Sequence, residues 1–83
     1  MEIKRLEGII EAILFTMGES VEVERIANAI EHDVPTTRKI IRNMMDRYQE
    51  EDRGIRIIEL EDSFQMCTKP EVYEYLIRIA KQP

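Results

Sequence analysis

One cysteine, one histidine and no tryptophan in 83 residues narrow the functional classes at once. A single thiol, Cys67, cannot close an intrachain disulfide, so the chain is no disulfide scaffold and a reducing, cytoplasmic setting is expected. One histidine and one cysteine are too few for a tetrahedral zinc site unless carboxylates fill the rest. Gly8, Gly18 and Gly54 stand apart from one another, which leaves no glycine-rich loop to cradle a phosphate. Apolar runs such as Ala12-Ile13-Leu14-Phe15 fall well short of the roughly 20 residues that a membrane helix needs. Met1-Glu2-Ile3-Lys4-Arg5 is too charged and periodic for a secretion signal. Catalysis requires titratable groups that converge in a pocket. Here His32 reads as a solvated helix-end residue, favoured there by the helix dipole, and Cys67 as a buried or half-buried strand residue. The expectation is therefore no enzyme, no metal, no cofactor, no small-molecule substrate and no membrane.

What the chain does have is charge and period. Seventeen acidic against 12 basic side chains give a net charge of −5. The length suits one small domain, and a domain this small buries a modest share of its surface, so support from a partner is expected. Ile3, Leu6, Ile10, Ile13, Leu14 and Met17 recur at the spacing of one helical face. Gly18 stops that helix, because glycine takes the left-handed conformation of a helix stop at little cost. Ser20 or Glu22 caps a second helix carrying Val23, Ile26, Ala27 and Ile30. Val34-Pro35 opens a third, proline being tolerated in a first turn, with Thr37, Ile40, Ile41, Met44, Met45 and Tyr48 on its inner face.

Helical period ends at Asp52-Arg53-Gly54. The β-branched run Ile55-Arg56-Ile57-Ile58-Glu59-Leu60 reads as a strand, Glu61-Asp62-Ser63 as a turn, and Phe64-Gln65-Met66-Cys67-Thr68 as the returning strand. A short strand from Ser20 to Glu22 can pair at the hairpin edge. Thr68-Lys69-Pro70-Glu71 has the form of a capping box ahead of a last helix bearing Val72, Tyr73, Leu76, Ile77 and Ala80. The predicted elements are helices over about 2–17, 22–31, 35–50 and 71–81, and strands over about 55–60 and 64–68. That order defines a mainly α (α+β) fold, a winged helix-turn-helix with three helices, a β-hairpin wing and a C-terminal helix.

Two surfaces are candidates for binding. In a helix-turn-helix the second helix of the pair enters the DNA major groove, which here is the third helix. Its outward face holds Arg38, Lys39, Arg42, Asn43 and Asp46, with Arg47 at the flank. Thr36 to Arg47 carries +3, leaving −8 on the rest of the chain. Arginine and asparagine are the residue types that read guanine and adenine edges. Against this, Glu59, Glu61 and Asp62 surround the wing tip, where a DNA-binding wing would offer lysine or arginine. A protein partner is therefore expected first and weak or indirect DNA contact second. The second surface is apolar. Gly8, Ala12 and Phe15 lie roughly opposite the main stripe of the first helix, with cover by the second or fourth helix of the same domain the favoured expectation. Tyr73, Tyr75, Ile77 and Ile79 make the last helix more apolar than one narrow stripe needs, as at an interface. A homodimer formed partly by this helix, with Phe15, is the expectation.

Specific stretches also resemble a known family. Ile10-Glu11-Ala12-Ile13-Leu14-Phe15 followed by Gly18-Glu19, then Arg53-Gly54-Ile55 opening the wing, then Thr68-Lys69-Pro70-Glu71 leading into the last helix, are similar in order and spacing to the amino-terminal winged-helix domain of segregation and condensation protein B. The resemblance runs over nearly the whole chain. It implies a non-catalytic, dimeric accessory subunit that binds a kleisin, segregation and condensation protein A, within a structural-maintenance-of-chromosomes (SMC) condensin, cytoplasmic and nucleoid-associated. The family has two tandem winged-helix domains, of which these 83 residues carry one, and its wing turn often has a glycine that is lacking here. The alternative class is a winged-helix transcription regulator reading DNA through the third helix. A third is an adaptor in an unrelated assembly.

Overall fold

The computed structural model of the chain describes residues 2–81. Helix α1 (Ile3–Met17) ends at Gly18, whose φ of 67° places it in the left-handed region while its N–H donates to the Leu14 carbonyl at 3.3 Å. Strand β1 (Val21–Glu22) runs directly into α2 (Val23–Ile30). The cap of α2 differs from the sequence expectation: Glu22 occupies the N-cap position but makes no side-chain cap bond. The orphan N–H of Val23 instead donates to the Asp62 carbonyl in the wing turn at 2.7 Å. Tertiary structure thus supplies a bond that a local side chain usually makes. Helix α3 (Val34–Glu50) has an orthodox start, with the Asp33 carboxylate accepting from the Thr36 N–H at 3.2 Å and proline in the first turn.

Strands β2 (Ile55–Leu60) and β3 (Ser63–Thr68) form the wing, and β1 adds to β3, giving an antiparallel sheet in the order β1-β3-β2. Leu60 pairs with Ser63, so Glu61-Asp62 is a two-residue turn. Glu61 has a φ of 47°, in the position where hairpins favour glycine or asparagine.

The core lies between the helices and one face of the sheet. Leu6, Ile10 and Leu14 from α1, Ile26 and Ile30 from α2, Ile41 and Met44 from α3, and Ile57 and Phe64 from the wing form one buried cluster. Removing their apolar area from water is the main stabilising term, at about 25 cal/mol per Å². Lys69 is buried as well, and its ammonium donates to the Glu51 carbonyl at 3.0 Å. It thereby satisfies a carbonyl just past the end of α3, where the helix dipole also favours a cation.

The C-terminal segment departs most from expectation. Pro70–Val72 forms a single 3-10 turn and α4 spans Tyr73–Ala80, so the continuous helix expected over 71–81 is shorter and begins two residues later. The capping box does not form: Thr68 is the last residue of β3, and Lys69, at the N-cap of the 3-10 turn, makes no side-chain cap bond. Thr68 is committed to the ladder opposite Ile55, which draws it away from the helix start. None of the eight residues of α4 is buried. Ile3 and Met17, expected on the inner face of α1, are 61% and 38% exposed at its two ends.

Candidate interaction surfaces

The basic face of α3 is bound up with the wing. Strand period two puts Ile55, Ile57 and Glu59 on one face of β2, and Ile57 is anchored in the core. Glu59 therefore points at α3 from the rim of the buried face. Arg42 grips it with a two-pronged fork, Nε to Oε1 at 3.0 Å and Nη2 to Oε2 at 2.8 Å. Arg38 adds Nη1 to the same Oε2 at 3.3 Å and reaches Asp62 Oδ1 with Nη2 at 3.4 Å. The fork from Arg42 first, and Arg38 second, holds the Glu59 carboxyl below its ordinary value, and the same bond raises the Arg42 guanidinium. Lys39 and Asn43 are exposed on the same helix. The four residues singled out for DNA or an acidic partner thus divide into two paired arginines and two free side chains. Glu59, read from sequence as part of an acidic wing tip, is the residue that closes this surface.

A second polar network ties α1 to α3. The Tyr48 hydroxyl donates to Glu11, and Arg53 stacks over the Tyr48 ring at 4.4 Å and bonds Glu51. Burial, then the hydrogen bond to the Glu11 carboxylate, push the Tyr48 hydroxyl up to about 12. Arg47 bonds Glu7 at 2.7 Å. Sequence reading missed both pairs, although Glu7 and Glu11 are one turn apart on α1. His32 is half-buried just past α2, with Nδ1 2.7 Å from the Ile30 carbonyl, and Cys67 is half-buried on β3. Among the described residues, no cluster of three or more histidine, cysteine or acidic side chains is arranged to hold a metal ion. No helix among the described residues is long and apolar enough to cross a membrane.

The apolar candidates stand open. Phe15 is 77% exposed, and Gly8 and Ala12 are exposed with it. This corrects the expectation that α2 or α4 of the same domain covers them: α2 packs on the other side of α1, where Leu6, Ile10 and Leu14 are buried. Ile9, Ala12, Ile13, Thr16 and Met17 line one shallow apolar depression on α1. Phe15, Ile55, Met66 and Cys67 line another beside it. On α4, Tyr73, Tyr75, Leu76, Ile77 and Ile79 are all between 44% and 70% exposed, and the main neighbour of the helix is the 3-10 turn before it. The structure brings Phe15 beside Ile55 of β2 and Met66 and Cys67 of β3, in a depression that no α4 residue lines.

Three packed helices, a three-stranded sheet whose wing is bound to α3, and an exposed fourth helix define a winged-helix domain. The family model for segregation and condensation complex subunit ScpB matches residues 8–83, and the chain belongs to that family. Segregation and condensation protein B of Lachnoclostridium phytofermentans is 69% identical over 83 residues, and that of Agathobacter rectalis 57% identical over 78. The chain spans 44% and 42% of the length of these relatives, while they cover 100% and 93% of it. Among solved structures, a dimer of an ScpB N-terminal domain complexed with ScpA peptide superposes with a TM-score of 0.87 at 29% identity, covering 93% of this chain and 96% of that one. ScpB from Mycobacterium tuberculosis gives 0.90 at 21% identity over 96% of this chain and 50% of that one, a likeness of fold.

Proposed function

We propose that the domain is a non-catalytic accessory module of a prokaryotic SMC–kleisin complex, acting in chromosome condensation and segregation by dimerising and binding a kleisin. The observation that carries this reading is the pair of uncovered apolar faces, on α1 with Phe15 at 77% exposure and on α4 with Ile79 at 70%. Contiguous apolar surface of that kind marks an interaction site. Two such faces suit two partners, a second copy and a kleisin segment, and the solved relative is itself a dimer bound to an ScpA peptide. The domain is one winged-helix unit of a two-unit subunit, working in the cytoplasm at the nucleoid.

Sedimentation at increasing concentration, with and without a kleisin fragment, tests the proposal. The expected result is a monomer–dimer equilibrium and a heavier species with the fragment. A strict monomer that ignores the fragment at high concentration overturns it.

A further inference from the structure

We propose that the wing seals the third helix against nucleic acid: Glu59, with Asp62, occupies the two guanidiniums that a duplex backbone would need, so α3 holds a DNA-binding capacity that its own wing suppresses. The argument begins with position. Arg38 and Arg42 lie on the outward face of the second helix of a helix-turn-helix, the face that meets DNA in this architecture. Their contacts are those a phosphate would make, since a guanidinium fork grips carboxylate and phosphate in the same two-point geometry. Glu59 takes both prongs of Arg42 at 2.8 and 3.0 Å and one nitrogen of Arg38 at 3.3 Å, while Asp62 takes the other at 3.4 Å.

The seal is part of the sheet. Glu59 shares a strand face with Ile57, which is 4% exposed, and pairs across the ladder with Phe64, which is fully buried. Its own side chain is 22% exposed, against 57% for that of Arg42, so the carboxylate sits on the wing side of the pair and the guanidinium on the solvent side. A duplex phosphate arriving at Arg42 would meet a carboxylate already seated there, placing two anions in one site. Among the described residues of this face, Lys39 is the cation left without an ion-pair partner. One cation gives little hold on a polyanion, because affinity grows with the number of phosphates neutralised. The net charge of −5 opposes binding further.

The test is fluorescence anisotropy with a labelled mixed-sequence duplex of about 20 base pairs, titrated across a salt series from about 50 mM upward. Five proteins are compared: the native chain, Glu59→Gln/Asp62→Asn, Glu59→Gln alone, the double variant with Arg38→Ala/Arg42→Ala added, and Glu19→Gln/Glu71→Gln. The last changes net charge equally without touching α3. The released variant is expected to bind at least about tenfold more tightly than the native chain, with a log–log salt slope of about −2 to −3 for Arg38, Arg42 and Lys39. The added alanines should return it to the native level, and the charge control should stay there. Glu59→Gln alone keeps the side chain's shape and is run beside the double variant, so that one folded release variant is in hand. Circular dichroism confirms the fold of each. A folded release variant that binds no better than the charge control overturns the proposal, as does a native chain that binds as tightly as the released one.

Discussion

Leu76 and Ile77 in α4 sit at helical spacing no different from that of Ile40 and Ile41 in α3. The α3 pair is 6% and 0% exposed, the α4 pair 44% and 52%. Both helices carry an apolar stripe, yet α3 is clasped by α1, α2 and β2 while α4 leans mainly on the turn before it. An eight-residue helix in water is below the length that holds itself together, and most helical stability in proteins comes from packing. The contrast teaches that periodicity reports that a helix has an apolar face and says nothing of what covers it. In α3 the covering layer is the chain itself. In α4 none of the eight residues is buried.

The sharpest way to probe the contrast is to damage the body. Phe64→Ala removes a fully buried ring from the sheet side of the core and should cost about 3–5 kcal/mol, a large part of a small domain's stability, read as a lowered urea midpoint. Lys69→Ala leaves the carbonyl of Glu51 without its buried donor and should cost about 1–3 kcal/mol. Stability equal to the native chain would show that the end of α3 needs no such partner.

Acid tests the polar clasp between α3 and the wing. Glu59 and Asp33 both titrate below their ordinary values, through the Arg42 fork and the Thr36 side chain and N–H respectively. A carboxyl whose folded pKa is lowered stabilises fully above its unfolded value and loses that contribution as pH falls through the folded one. The unfolding free energy should therefore decline from about pH 5 downward, and Glu59→Gln should flatten part of that decline. An unchanged acid limb in the variant would show that the clasp contributes nothing to folding.

The smallest effect on folding belongs to α4. Ile79→Ala, at a site 70% exposed, should move the stability of the dilute monomer by no more than about 0.5 kcal/mol, while weakening self-association in sedimentation. A drop in stability of the size expected for a core residue would mean that α4 belongs to the body and the contrast fails.

Much of this was readable from the residues. The left-handed stop at Gly18, proline in the first turn of α3, and the switch from period 3.6 to period two after Gly54 are local signals, and the structure honours each. Glu59 was readable too. Counting two from Ile55 and Ile57 puts it on the helix-facing side of the wing, so it neutralises α3 rather than merely acidifying the tip. Asp33 is the N-cap of α3, a role that the sequence reading gave to no residue. The capping box at Thr68 was a sound local pattern that lost to a strand ladder, which uses Thr68 first.

By itself the sequence determined the order of helices and strands, the inner faces of α2 and α3 and the middle of that of α1, because caps, breakers and periodicity act within a few residues of the backbone they control. The tertiary structure alone decided that Arg38 and Arg42 are spent on the wing. It alone decided that the Val23 N–H is capped by the Asp62 carbonyl and that α4 with Phe15 stays uncovered. Those outcomes depend on which distant groups meet across 17 to 39 residues of chain, and such meetings are fixed by how whole layers pack.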